Sequence, residues 1–236
     1  MIVLAMDTST LLGGVAVIKE GRVLAVESSL RQKSHTEIIS PFVESCLKNA
    51  GVNLADVDLF AVGQGPGSFT GIRVAANAGK SFAYAFGKPM VTIDSLVLLA
   101  SAVRESATPV LSIINAYKNM VYLGLFDLVE GQEPRYRLGP IAVPVVQLPS
   151  LIHEKVLVIG DGFDTYQEYL SEDFKQFLVR DNEYSDYPTA ENLGRLAEKR
   201  ALAHQTIEWN SFIPLYIRAS EAEEAKRGII ISPLKK

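Results

Sequence analysis

The strongest chemical feature of the sequence is Gly63-Gln64-Gly65-Pro66-Gly67-Ser68-Phe69-Thr70-Gly71, which follows an apolar run and precedes a stretch rich in small residues. A strand, a glycine-rich loop and a helix N-terminus together make an anion site, because free backbone N–H groups and the helix dipole converge there. The same glycines also permit positive φ and close helix packing. Spacing separates the two readings. The dinucleotide pattern G-x-G-x-x-G would need glycine at Thr70, and the third glycine falls one place late, at Gly71. A phosphate loop ending in Gly79-Lys80-Ser81 would need glycine at Val74, and Lys80 falls inside a helical pattern. Both nucleotide motifs fail, and a structural loop is favoured over a ligand site.

Asp7-Thr8-Ser9-Thr10 sets an acid and hydroxyls at the end of a first strand. In a phosphotransfer fold such a turn faces phosphate and metal; as plain turn chemistry the same side chains cap local backbone groups. The other chemistry-bearing residues stand apart. His35, His153 and His204 lack metal-ligand spacing, Ile39 filling the position four after His35. Cys46 sits on the apolar side of a helical pattern and reads as a small buried hydrophobe. Ser68 is not in a G-x-S-x-G elbow. The sequence shows no Ser/His/Asp set, no cysteine pair and no metal-ligand cluster.

The elements that must position these residues are legible. Ile2–Ala5 is a buried strand. Gly14–Ile18 and Arg22–Glu27 form a hairpin turning at Glu20-Gly21. Ser34 and Glu37 make a capping-box pattern for a helix that carries Ile38, Ile39, Phe42, Val43, Cys46 and Leu47 at helical spacing and stops at Gly51. Asp58–Gly63 is a strand, Ile72–Phe86 a helix broken by Gly87-Lys88-Pro89, Met90–Ile93 a strand and Ser95–Ala102 a helix. The pattern then restarts. Val110–Asn115, Val121–Val129 and Tyr136–Val143 read as strands, Val145–Ile152 as a short helix and Lys155–Gly160 as a strand ending in Gly160-Asp161-Gly162-Phe163. Thr165–Leu170 and Ala190–His204 read as helices. Each half opens with strands and then alternates helix and strand, which predicts two α/β lobes with mixed sheets, residues 1–103 and 104–236.

Composition bounds the function. With 236 residues, 48% hydrophobic and 21% charged, the chain can bury two modest cores. Net charge is -4, with no basic block longer than Lys226-Arg227 or Lys235-Lys236. That argues against autonomous nucleic-acid binding, which needs a basic face to release counterions. A single cysteine fits a reducing, cytoplasmic setting. The N-terminal apolar run lacks a basic flank and ends at Asp7, unlike a signal peptide, and no apolar stretch approaches the roughly 20 residues of a membrane span.

Several segments, in order and spread along the chain, resemble the bacterial TsaB (YeaZ) family. They are Asp7-Thr8-Ser9-Thr10, Ser34-His35-Thr36-Glu37, Gly65–Arg73, Gly79-Lys80, Asp94-Ser95-Leu96, Val121-Tyr122, Gly160-Asp161-Gly162 and Pro214-Leu215-Tyr216-Ile217-Arg218. The Gly-Pro-Gly-Ser-Phe-Thr-Gly segment is the most specific. The resemblance implies a two-lobed actin-like fold (the sugar-kinase or ASKHA superfamily, a duplicated ribonuclease-H-like α/β unit). It implies a role in making threonylcarbamoyladenosine in tRNA, as the non-catalytic subunit that docks onto the transferase TsaD, a paralogue, with the small ATPase TsaE. On this view tRNA is met only through the complex, and the chain alone is open to either of two states, a homodimer or a monomer. It has no metal and no cofactor of its own, ATP or ADP binding only at the junction with TsaD. The paralogue's metal-binding His-x-x-x-His falls here on Ser95 and Leu99, and leucine cannot ligate a metal. Where a nucleotide-binding member opens its second lobe with a glycine-rich phosphate loop, this chain has Asn115-Ala116-Tyr117-Lys118. The family's common Asp-Ala-Arg is replaced there by Asn115-Ala116-Tyr117.

The resemblance places a vestigial cleft at Asp7, Thr8, Ser9, Gly65, Gly67 and Ser68. It places the partner face on helices Ser34–Ala50 and Gly71–Phe86, through Ile38, Ile39, Phe42, Cys46, Ile72, Ala75, Ala76, Gly79 and Ala83. So much apolar and small-residue surface exceeds what one sheet is expected to cover, the alternative being that both helices simply pack on their own sheet, as amphipathic helices usually do. The competing readings are a sugar- or acetate-kinase-like phosphotransferase of the same fold, and a peptidase.

Overall fold

A computed structural model describes residues 1–30 and 37–219. Ser34 of the expected Ser34–Glu37 capping box, His35, and the basic pairs near the C-terminus lie outside the described residues. The chain forms two compact units, the first comprising Met1–Leu98 and Pro188–Leu215, the second Leu99–Tyr187 and, of the described residues, 216–219.

The first unit is built on β1 (Ile2–Asp7), β2 (Leu12–Lys19), β3 (Arg22–Leu30), β4 (Leu59–Gly63) and β5 (Met90–Ile93), in the sheet order β3-β2-β1-β4-β5. β1, β2 and β3 form an antiparallel meander; β4 adds in parallel to β1, and β5 in parallel to β4. Parallel neighbours need crossovers. These are α1 (Ile39–Ala50), ended by Gly51 at φ 65°, and α2 (Phe69–Phe86), ended by Gly87 at φ 60°. One sheet face, with Leu4, Met6, Val15, Val17, Phe60 and Val62, packs under α1 and α2. α6 (Ala190–Leu202) covers the other, where Gly194 lies against Ile18 and Ala5; a Cβ on Gly194 would stand 2.3 Å from Ile18 Cγ1.

The second unit repeats the topology. β6 (Val110–Asn115), β7 (Met120–Asp127) and β8 (Arg135–Pro144) form an antiparallel meander; β9 (Val156–Ile159) and β10 (Leu178–Arg180) add in parallel, giving the order β8-β7-β6-β9-β10. Its core gathers Leu111, Ile113, Leu123, Val143, Val156 and Val158 with Tyr166 and Phe174. α3 (Ser95–Ala100) carries the chain from the first unit into the second, and α4 (Asp161–Tyr166) and α5 (Glu172–Lys175) are short. Two mixed sheets of one topology, flanked by helices, are the duplicated actin-like α/β fold.

The division at residue 103 does not hold as drawn, because residues 188–215 return to the first unit. The reason is burial: Leu193, Gly194 and Ala197 of α6 are matched to the open face of the first sheet. The carboxylate of Glu198 is almost wholly buried and accepts the N–H groups of Glu20 (3.0 Å) and Gly21 at the β2–β3 turn. The short helix expected at Val145–Ile152 is present as a 3-10 helix over Val145–Ser150; the ring of its Pro149 could not sit inside an α-helix without the loss of a backbone bond. β10 and α5 were not anticipated. Among the described residues no helix is long and apolar enough to cross a membrane.

Candidate functional site

The end of β1 and the glycine-rich loop after β4 meet, since β1 and β4 are parallel neighbours with Met6 paired to Val62. Asp7, Thr8 and Ser9 are fully buried there. Asp7 Oδ1 accepts from Ser9 N (2.8 Å) and Ser9 Oγ (2.7 Å). Its Oδ2 has no hydrogen-bond partner and lies over Gly63, where a Cβ would fall 1.7 Å away. Burial pushes the Asp7 carboxyl up to about 6, with the two Ser9 bonds only partly offsetting it. Ser95 Oγ donates to Ser9 Oγ (3.0 Å), and Ser95 N donates to Gly65 O (2.8 Å).

The expected cleft residues are thus brought together, but against one another. Ser68 N donates to Ser9 O (2.7 Å), and a Cβ on Gly67 would lie 2.0 Å from that same oxygen. A Cβ on Gly71 would lie 2.0 Å from Thr8 O. Ser68 Oγ caps α2 by accepting from Gly71 N (3.2 Å). The glycines therefore admit the backbone of the β1 turn to the start of α2, the place a bound anion would take. That is the structural-loop reading of the segment.

Ser95 is fully buried and hydrogen-bonded, and Leu99 is fully buried in apolar surroundings. Among the described residues, no three His, Cys, Asp or Glu side chains are grouped to hold a metal. Cys46 is buried, its thiol donating to Val15 O (3.2 Å), and burial pushes it up to about 11, the opposite of a poised nucleophile.

The corresponding turn of the second unit has a different character. Asn115 N donates to Asp161 Oδ1 (2.9 Å), while Asn115 Oδ1 accepts from Tyr117 N (2.8 Å) and Tyr166 Oη (3.1 Å). Tyr117, Lys118 and Asn119 are all left-handed, at φ 56°, 51° and 61°. Arg218 donates to Ala116 O from below the turn. Asp161 is raised to about 6, chiefly by burial. Asp186 takes Gly160 N (3.0 Å) and pairs with Arg180. Sequence reasoning noticed Gly160-Asp161-Gly162 but not its partners, which lie up to 46 residues away for the Asn115–Asp161 bond.

The partner face requires a correction. Ile38, Ile39, Cys46, Ile72, Ala75, Ala76, Gly79 and Ala83 are buried in the first unit's own core, and Phe42 is half-buried against it. The sheet offers enough apolar surface to cover both helices, so these side chains are not presented outward. A Cβ on Gly79 would lie 2.4 Å from Val62 Cγ2, which shows how close α2 sits to β4. What α2 turns outward is Thr70, Arg73, Asn77, Ser81, Tyr84, Ala85 and Phe86, with Tyr84 the most exposed aromatic at 69%.

This topology, with a buried turn after its first strand packed against the start of α2, defines an actin-like α/β protein. Comparison with known proteins narrows the class. The family model for TsaD, tRNA N6-adenosine threonylcarbamoyltransferase, matches residues 26–226. The tRNA threonylcarbamoyladenosine biosynthesis protein TsaB of Haemophilus influenzae is 30% identical over 230 residues, covering 91% of this chain and 92% of that one. TsaB of Escherichia coli K12 is 28% identical, covering 94% and 96%. The solved structure of YeaZ from Pseudomonas aeruginosa superposes with a TM-score of 0.77 at 30% identity, over 91% of this chain and 99% of that one. A second Pseudomonas aeruginosa structure, described as an uncharacterized protein with similarity to peptidase YeaZ, gives a TM-score of 0.78 at 30% identity, over 92% and 99%. The chain belongs to the TsaB (YeaZ) family.

Proposed function

We propose that this chain serves tRNA threonylcarbamoyladenosine biosynthesis as a non-catalytic subunit that docks onto the TsaD transferase, with the TsaE ATPase completing the set. The observation that carries the reading is the self-filled turn. Thr8 and Ser9 carbonyls stand against the start of α2, and Asp7 is sealed over Gly63. A kinase-like member would need that carboxylate facing a metal–phosphate and those N–H groups facing an anion. A peptidase would need an accessible nucleophile, whereas the Cys46 thiol is buried and held protonated. The chain then carries no cofactor of its own, ATP or ADP binding only where it meets TsaD, and it works in the cytoplasm.

Docking through α1 and α2 remains the reading, moved to their outward residues. Of the outward side chains of α2, only Arg73 is charged, and its guanidinium lies 3.8 Å from the Phe69 ring centroid. A solvated helix face normally carries many charges, while the centre of an interface is depleted of them. Reconstitution with TsaD, TsaE, tRNA and threonylcarbamoyl-adenylate, omitting each protein in turn, tests the role. Modification is expected to require TsaD and to fall when this chain is left out. Transfer by this chain without TsaD would overturn the proposal. On the docking face, Asn77→Arg is expected to abolish co-elution with TsaD at an unchanged melting temperature.

A further inference from the structure

The Thr8 hydroxyl reaches into the backbone ladder of α2. It donates to Gly71 O at 2.6 Å and accepts from Ala75 N at 3.1 Å, the acceptor and donor of one i, i+4 rung. Thr8 is fully buried, so both bonds are shielded from water. The approach is possible because residue 71 is glycine, a Cβ there standing 2.0 Å from Thr8 O. One residue on, Ser9 O holds Ser68 N, the residue that caps the helix. Two successive residues of the β1 turn thus grip the first turn and a half of α2.

Farther along, α2 is seated by shape. Gly79 lies against Val62, and Ala75, Ala76 and Ala83 are buried on the sheet. Small apolar side chains let the helix lie close, with Phe82 packed on Phe60 at 5.8 Å between ring centroids, and such undirected packing limits roll and slide less sharply than directed bonds do. Directed hydrogen bonds at fixed backbone atoms resist both.

We propose that Thr8 is a positioning residue for partner docking, fixing the roll and direction in which α2 presents Arg73, Asn77 and Ser81. The inference rests on the reading of α2 as the docking face. It assigns a role to a turn that in a phosphotransfer enzyme would address substrate: here its hydroxyl addresses the helix, and through the helix the partner. A docking surface held even 1 Å out of register loses affinity steeply.

The test compares Thr8→Val, which keeps the shape and removes both bonds, with Thr8→Ser, which keeps the hydroxyl, and with Asn77→Arg on the face itself. Melting temperature is measured for each, together with the dissociation constant for purified TsaD at a temperature well below every transition. Thr8→Val is expected to weaken binding about tenfold, Thr8→Ser to stay within about threefold of the parent, and Asn77→Arg to abolish binding. A Thr8→Val protein that melts lower but binds TsaD as the parent does would overturn the inference, leaving Thr8 a stabilising residue only. Should Thr8→Val not fold, Thr8→Ala is read by the same two measurements. If Asn77→Arg also binds unchanged, the docking reading itself fails and this inference with it.

Discussion

The two units share one strand order and differ in almost everything laid on it. In the first, the parallel additions are crossed by α1 with 12 residues and α2 with 18. In the second, the same crossovers are a 3-10 turn at residues 145–150 and two α-helices of 6 and 4 residues. The turn after the first strand diverges as well. At Asp7-Thr8-Ser9-Thr10 every residue is buried and the turn is bolted to α2, whereas Tyr117 stands 54% exposed in a run of three left-handed residues. The sheet topology tolerates both, because strand pairing is satisfied by backbone and the crossovers need only close the connection. Long outward helices, the elements able to carry a partner, are found in the first unit alone among the described residues.

The sharpest way to break this contrast is Gly71→Ala. Its Cβ would meet the Thr8 carbonyl at 2.0 Å, a backbone atom that cannot rotate away. The substitution is expected to cost about 3 kcal/mol or more and to release the β1 turn, read as a loss of melting temperature. An unchanged melting temperature would mean the turn is not bolted to α2.

A smaller effect of opposite sign is expected at Asp7. Its folded-state value of about 6 lies above its ordinary 3.8, so the native state holds its proton more tightly than the unfolded chain does. The penalty is absent below about pH 4, grows between 4 and 6, and is complete above 6, where it amounts to about 3 kcal/mol. Asp7→Asn removes it but leaves an amide N–H without an acceptor, so a net gain of about 2 kcal/mol is expected at pH 7.5 and none at pH 4. Urea unfolding at the two pH values decides; equal gains at both would refute the assignment.

The least effect belongs to the second unit's turn. Lys118→Gly accommodates φ 51° without Cβ strain and is expected to raise stability by about 1 kcal/mol. A loss of stability on the same scale would show that the Lys118 side chain contributes more than its backbone conformation costs.

Local signals made much of this legible. The Glu20-Gly21 turn and the Gly51 and Gly87 stops are short-range chemistry, and the elements they bound fall close to expectation, whereas the Ser68 cap, which starts α2 at Phe69 and not at the expected Ile72, was missed. The family, too, could be read from the Gly65–Gly71 segment. Failures arose where the deciding partner is remote. An apolar stripe such as Ile39, Val43 and Cys46 does not reveal whether its cover is the chain's own sheet or another protein. Nothing near Leu193 or Ala197 announces that they belong beside β1. β10 is three residues long and has no period to detect. In the glycine loop the residue spacing excluded two nucleotide motifs, but only the coordinates reveal that Thr8 and Ser9 fill the space.

The return of α6 has a consequence for synthesis. The second sheet lies within residues 110–180 of the chain, so all of its strands emerge from the ribosome before α6 does. The first unit begins earlier yet must wait, since its sheet face at Ala5 and Ile18 has no cover until Gly194 arrives, and the β2–β3 turn has no clamp until Glu198 does. From the making of β2 until α6 emerges, that face is without its cover. The first sheet is therefore covered only after every strand of the second has been made, and a nascent chain halted before residue 190 should present to chaperones the surface that the finished protein hides.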